Sequence, residues 1–595
     1  MNTQAHRWLL RIDGSSLPGR ELIGGKAWSI AEMRALGLNV PPAVVLTTPA
    51  CLAFQECGDL PPGLDEELRA GIAWLEECTG RRFGSGPRPL LVSVRSGAPV
   101  SMPGMMDTIL NLGVNGATEA EIAEECGDAD FARDTHRRFV ELYASTVLKT
   151  EPAGLGSSAD IEAWREAIAT AAGRPVPTEV FEQLRGAVRA VFESWNSRRA
   201  KRYRQHHGIP DHLGTAVTVQ AMVFGNLDDH SGTGVLFSRN PISGEPAPFG
   251  EFLPRAQGED VVSGRHTPLP LEAMRTALPE AHDELLTAAR LLEREHGDVQ
   301  DIEFTVERGC LFLLQTRAAK RAPQAAVRIA AQLHREQLCN ADAAFGRITP
   351  EQVRVLLSPR LAEGALAAAA VLARGDGASP GVGCGIVVTD PEEAESRAHA
   401  GESVVLARAT TSPDDVHGMI AARAIVTELG GSTSHAAVVG RALGKPCVVG
   451  CGAGSLLGLA GRIVTVDGQA GAVLDGRLPV VVPDEAADAD LVELARWADA
   501  KSPLRVVTTV PADTPVVDLD QIEEAGDPDR LRAFLRTVDP AAAVTGSVLA
   551  SETAVASCVA AGIPLLIASP RLPVLLAAIH AVVGTERPSA EDIPS

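Results

Sequence analysis

Two alternating runs, Gln300-Asp301-Ile302-Glu303-Phe304-Thr305-Val306 and Cys310-Leu311-Phe312-Leu313-Leu314-Gln315-Thr316-Arg317, flank Glu307-Arg308-Gly309. They are expected to form a hairpin with glycine where the turn needs positive φ. Strand side chains alternate faces, so Asp301 and Glu303 share one face, and Gln315 and Arg317 share one. A three-residue loop sets Asp301 opposite Gln315 and points all four polar groups the same way. A two-residue loop puts the carboxylates and the Gln/Arg pair on opposite faces. Two carboxylates about 7 Å apart on a rigid sheet suit a hard cation such as Mg²⁺, and a nearby Arg suits phosphate. An amphipathic hairpin with a wet outer face has the same pattern.

A second cluster is Val92-Ser93-Val94-Arg95-Ser96-Gly97-Ala98-Pro99-Val100-Ser101-Met102-Pro103-Gly104-Met105-Met106-Asp107-Thr108. A strand ends near Arg95, and the small-residue loop after it lets backbone N–H groups approach an anion closely. The Met pair reads equally well as core. Gly24-Gly25-Lys26 opens a helical pattern running to Leu36, which places an ammonium and free N–H groups at a helix start. In a third cluster, Gly430-Gly431-Ser432-Thr433-Ser434-His435 leads from a strand into a helix expected to close at Gly444 and Pro446. His435 falls in the first turn, where the helix dipole disfavours an imidazolium. A neutral imidazole is a nucleophile, and a phosphoryl group on it would meet the anion-favouring helix N-terminus. A structural histidine fits the same position.

These clusters are spread along 595 residues, which at roughly 150 residues per domain suggests about four domains. The composition, 45% hydrophobic and 22% charged, is that of a globular chain. With 76 acids against 54 bases the net charge is -22, which disfavours nucleic acid and anionic membranes as partners and requires any phosphate to be held by a local cluster of donors. The ten cysteines are scattered, and Cys447 and Cys451 have no second pair to complete a zinc site, so reduced thiols in the cytoplasm are expected. Residues 326–375 read as helical, with Ala365–Ala373 repeating the habit, and Gly375–Gly381 reads as a linker. Short β-type runs follow at Ile386–Val388, Ser403–Leu406, Ala424–Val426 and Arg462–Val466. Beyond Pro483-Asp484-Glu485, strands are expected over Leu504–Val510, Ala542–Val548 and Pro564–Ser569. Thr545-Gly546-Ser547-Val548, before a helical pattern, reads as an anion-binding βα turn or as part of a packing module.

Taken together the clusters resemble the pyruvate, phosphate dikinase family. The resemblance rests on the segment around His435 with Thr411-Ser412-Pro413-Asp414-Asp415 before it, on Val94–Gly97 with Ser101–Thr108, on Gly232–Pro241, on Ala256–Val262 and on the hairpin. It implies an ATP-grasp nucleotide domain over 1–325 and a swivelling phosphohistidine domain over 379–480; with the helical connector read over 326–378 and a small α/β domain over 486–595, the expected fold is multidomain α/β and α+β. It further implies that Lys26 and Arg95 contact ATP phosphates, that Arg317 holds them from the sheet, and that Glu303 and Gln315 bind Mg²⁺ with Asp301 at the same site. Ser101, Gly104, Met105, Asp107 and Thr108 would belong to a loop over the phosphates, and Gln220 to the nucleotide-binding set. His435 would take the β-phosphoryl group of ATP. The loop is similar to that of the dikinases and unlike that of the water-using synthases, so inorganic phosphate is the implied acceptor of the γ-phosphoryl group, giving AMP and pyrophosphate.

The family ends in a barrel that binds pyruvate. Here residues 486–595 are expected to form a smaller α/β unit, so that the final acceptor is bound by that unit or by a separate barrel-bearing protein. Two other readings stay open: a small-molecule kinase of the rifampin phosphotransferase type, and a non-catalytic nucleotide-binding or docking partner.

Overall fold

The computed structural model describes residues 8–100, 102, 106–150, 161–258, 260, 268–362, 364–412, 415–431, 434–443, 445–510, 514–522 and 527–586. The chain is mixed α/β and divides into two compact units, one of residues 1–240 and 246–320, the other of 241–245 and 321–594. Among the described residues no helix is long and apolar enough to cross a membrane. None of the ten cysteines forms a disulfide.

The first unit is built on two five-stranded antiparallel sheets. One has the spatial order Leu9–Ile12, Ala43–Leu46, Ala216–Ala221, Val92–Gly97, Thr108–Leu112. The strand Ala43–Leu46 is apolar on both faces because both are covered. Val44 and Leu46 pack into a core with the helices Leu64–Thr79 and Val180–Ser194, while Ala43 and Val45 pack into a second core with the helix Arg20–Ala35. The other sheet runs Leu269–Pro270, Phe249–Pro254, Gly232–Phe237, Gln300–Glu307, Cys310–Ala318.

The hairpin combines two features that the spacing presented as alternatives. Glu307 pairs with Cys310 across a two-residue turn, with Arg308 at φ 52° and Gly309 at φ 80°. Such a turn alone would separate the polar groups onto opposite faces. A bulge at Leu314 shifts the register between Glu303 and Phe304, so that Asp301 pairs with Arg317 and Glu303 with Gln315. All four side chains therefore share a face, while Ile302, Phe304 and Val306 are buried in the core beneath.

The helix Arg20–Ala35 is kinked at Gly24, which has φ 74° and ψ 160°. A Cβ there would lie 1.8 Å from the Gly97 carbonyl oxygen. Beside it, Gly25 N donates to Ala98 O at 3.0 Å. The helix start is thus seated on the end of the Val92–Gly97 strand, and only glycine permits that approach.

In the second unit an eight-stranded sheet runs Val371–Arg374, Ala472–Asp475, Ile463–Asp467, Val382–Val388, Val404–Arg408, Ala424–Thr427, Cys447–Val449, Asp376–Ser379. The runs expected as strands here are strands. The expected helix over Ala365–Ala373 is only Ala365–Ala368, and Val371–Arg374 is a sheet edge. The Gly375–Gly381 segment, expected as a linker, contributes the strand Asp376–Ser379. Sheet pairing supplies the backbone partners there and overrides alanine propensity and glycine content. The segments entering and leaving this sheet pair with each other, Arg360 with Val481 and Leu361 with Val480.

The C-terminal piece forms a four-stranded parallel sheet ordered Arg505–Val507, Leu565–Ile567, Ala543–Thr545, Val516–Asp518. The last of these, three residues long like the others, is not among the strands expected. Its core also contains Val327, Ala330, Phe345, Ile348 and Val353, so the helices expected as a connector pack as one side of this unit. The expected anion turn is already satisfied internally: both Asp520 carboxylate oxygens accept from Ser547 N, at 2.8 and 2.9 Å, and one accepts from Ser547 Oγ at 2.7 Å.

Gly24→Ala should lower the unfolding free energy by roughly 3 kcal/mol, because the new methyl meets backbone in a conformation open essentially to glycine alone. Urea denaturation of the full chain measures it, and a change below about 0.5 kcal/mol contradicts the seating described.

Candidate functional site

In the first unit a cleft lies between the two sheets. Its polar half, a hollow of about 400 Å³, is lined by Arg20, Lys26 and Arg95 from one side and by Glu303, Gln315 and Arg317 from the hairpin. The adjoining half, of about 330 Å³, is lined by apolar groups including Leu110, Met222, Val223, Val235 and Leu314, with Gln220 among them. Arg95, Thr108, Glu303 and Arg317 line both.

The polar half is a network of opposed charges. Arg317 Nε donates to Asp301 Oδ2 at 2.7 Å, and its Nη2 lies 4.0 Å from Glu303 Oε1. Arg95 Nη2 lies 3.6 Å from Glu303 Oε2. Lys26, seated by the glycine contact, is half-buried, and its ammonium is pushed down to about 7, first by burial and then by Arg95, with Glu303 opposing. Burial raises the Asp301 carboxyl, and its hydrogen bond to Arg317 works against that. Such crowding of cations is tolerated only beside carboxylates, and it suits a multiply charged anion.

Whether these residues fit Mg²⁺ can be tested on the oxygens. Asp301 Oδ1 is buried and has no hydrogen-bond partner, and the contacts of Glu303 are ion pairs longer than a hydrogen bond. With the Gln315 carbonyl they form a hard-oxygen set of the kind that binds Mg²⁺ alongside phosphates. The residues fit. Among the described residues no cluster of three or more His, Cys, Asp or Glu forms an all-protein metal site.

The other expected residues divide. Thr108 lines the cleft, and Gln220 is buried with its Nε2 donating to Pro41 O at 3.2 Å. Asp107 does not line the cleft. It pairs with Lys149 at 2.9 Å and with Arg199, in a separate hollow. Ser101, Gly104 and Met105 lie outside the described residues. Arg20, six residues before Lys26, lines the cleft and was not read from the sequence.

In the second unit, His435 begins the helix His435–Ala442, with Ala436 and Ala437 buried beneath it against Cys447 and Val449. The imidazole is half-buried, and its Nδ1 lies 3.1 Å from Thr411 Oγ1. With the proton on Nδ1 and donated to that hydroxyl, Nε2 carries the lone pair of the ring. The segment carrying Thr411 is held by Asp415, which accepts from Ser412 N at 2.7 Å and pairs with Arg408 at 3.2 Å. Ser432 and Thr433 lie outside the described residues.

The model of the pyruvate phosphate dikinase AMP/ATP-binding domain matches residues 60–273, and that of the mobile domain of PEP-utilising enzymes matches residues 400–471. Pyruvate, phosphate dikinase of Rhizobium meliloti (strain 1021) is 43% identical over 560 residues, covering 86% of this chain and 62% of the relative. Pyruvate, phosphate dikinase 2 of Zea mays is 43% identical over 531 residues, covering 83% and 60%. The Clostridium symbiosum protein is 38% identical over 556 residues, covering 87% and 63%. Over both matched segments the chain is similar to the pyruvate, phosphate dikinases. It spans about three-fifths of the length of these curated relatives. Within this dikinase-like chain the first matched segment holds Arg95, Thr108 and Gln220, and the second holds Thr411 and His435. Lys26 and the whole hairpin lie outside the matched segments and are joined to Arg95 by the fold.

A phosphate beside Lys26 favours its ammonium, so ligand binding above pH 7 should take up a proton. At pH 8 the calorimetric heat of polyphosphate binding should vary with buffer ionisation enthalpy, with uptake close to one proton per site that disappears in Lys26→Met. In the free chain the unfolded state binds that proton up to about pH 10.4, so this group makes stability rise with pH from about 7 to about 10.4.

Proposed function

We propose that the chain is an ATP-dependent phosphotransferase that charges His435. In this reading residues 1–325 bind the nucleotide, 379–480 carry the phosphoryl group, and 326–378 with 486–595 support the carrier. What carries the reading is the pairing of two features: a cleft whose cationic, carboxylate-balanced half adjoins an apolar half, and a half-buried imidazole oriented through Nδ1 in the mobile-domain segment.

Lys26, Arg95 and Arg317 hold the polyphosphate by charge-assisted hydrogen bonds, and the apolar half takes the base. Glu303 and Gln315, with Asp301, hold Mg²⁺, which when bound neutralises polyphosphate charge. His435 Nε2 attacks the β-phosphorus, the bond to the bridging oxygen of AMP breaks, and the Nδ1 proton stays on the hydrogen bond to Thr411. Inorganic phosphate then takes the γ-phosphoryl group as pyrophosphate, leaving a single phosphoryl group on His435 for the final acceptor. The kinship with dikinases, which name both pyruvate and phosphate, supports phosphate as the second substrate.

ATP labelled at the β-phosphorus should leave acid-labile, base-stable label on the full chain and none on His435→Ala. Equal label on the variant would remove His435 from the reaction. Release of AMP and pyrophosphate should require added phosphate, and ADP as the product would exclude the dikinase half-reaction.

A further inference from the structure

Several buried side-chain atoms of the first unit lack a hydrogen-bond partner among the described residues, Asp301 Oδ1 among them, and Gln257 contributes two. Its side chain is 4% exposed, and among the described residues neither its Oε1 nor its Nε2 has a hydrogen-bond partner. Its backbone is fixed, since Gln257 N donates to Asp260 Oδ2 at 2.9 Å and Gln257 O accepts from Asp260 N at 2.9 Å. The residue lines the apolar half of the cleft. A buried amide with four unmade hydrogen bonds is costly, and such groups mark places where a ligand supplies the partners.

The sheet register tells which part of a ligand lies there. On the strand Gly232–Phe237, Val235 pairs with Glu303, at the phosphate end of the cleft, and Thr233 pairs with Thr305. Gly258, next to Gln257, sits over Thr233, with its would-be Cβ 3.9 Å from Thr233 Oγ1. That is two residues along the strand, about 7 Å from the carboxylate. A nucleotide with its phosphates at Arg317 and Glu303 and its base among Met222, Val223 and Leu314 brings its base to this end.

We infer that the Gln257 side-chain amide reads the hydrogen-bonding edge of the purine base, pairing its donor and acceptor with the 6-amino group and an adjacent ring nitrogen of adenine. The inference rests on the nucleotide reading proposed above and adds to it a specificity-determining residue. A planar amide offers one acceptor and one donor side by side, which is the complement of that edge and is the pairing glutamine makes with adenine elsewhere.

The test is calorimetry on the full chain and on Gln257→Leu, with three ligands in the presence of Mg²⁺: ATP, purine riboside triphosphate, which lacks the 6-amino group, and inorganic tripolyphosphate. The variant should bind ATP between about tenfold and a hundredfold more weakly. Its affinity for tripolyphosphate should be unchanged, and its affinity for purine riboside triphosphate should fall much less than that for ATP. The ligand-free variant should unfold at the same temperature or higher, because leucine removes unsatisfied polar atoms from an apolar wall. Unchanged ATP affinity, an equal loss with tripolyphosphate, or an equal loss with purine riboside triphosphate overturns the inference. If the parent chain binds tripolyphosphate and ATP equally, the base contributes nothing and the inference also falls. If it binds neither, the nucleotide reading itself fails first.

Discussion

Like charges resist being packed together, and the cleft packs several guanidinium and ammonium groups within reach of one another. It is held by carboxylates presented at the right spacing, and that spacing depends on one surplus residue. Leu314 takes up a bulge that returns Gln315 and Arg317 to the face of Asp301 and Glu303. Without it the two-residue turn would put Gln315 and Arg317 on the face of Ile302 and Phe304, in the core, and take the guanidinium away from the two carboxylates. The partial discharge of Lys26 reflects how little margin remains: its ammonium is least favoured when no anion lies beside it.

The same logic explains the glycines. Lys26 is near Arg95 because Gly24 lets a helix start touch the backbone at Gly97. A larger residue would lift the helix and remove one cation from the cluster. Charge and backbone sterics are thus two aspects of one arrangement, with the cations brought together by close packing and stabilised by the hairpin opposite.

The histidine is built on other principles. Its helix is anchored by buried alanines, and the imidazole is oriented by a threonine whose segment is fixed through Ser412, Asp415 and Arg408. That support holds Thr411 where it meets Nδ1. Elsewhere in the second unit, Arg335 bonds Asp490 at 2.6 Å and Lys501 pairs with Asp342 at 2.9 Å, tying the helices after residue 323 to the helix Ala489–Lys501, with which they share a core. Residues 486–595 are therefore a fixture of those helices, and the turn at Ser547 is occupied by the chain's own carboxylate.

Several features were legible from residue order alone, because they depend on interactions between near neighbours. Alternation placed Asp301 and Glu303 on one face, Gly-Gly before a helical pattern marked the settings of Lys26 and His435, and β-type runs marked the central strands of the second unit. The remainder depended on distant partners. The strand Asp376–Ser379 exists because Cys447–Val449 offers it hydrogen bonds, and the polar groups of the hairpin converge because a bulge, invisible in the alternation, shifts their register. Asp107 joins Lys149 and Arg199 instead of the cleft because those cations, one just past the helix Ala129–Thr146 and one in the helix Arg198–His207, come from segments far along the chain. Periodicity is a local property that sequence fixes directly, whereas register, burial and charge pairing are settled only when separate segments compete for the same partners in space.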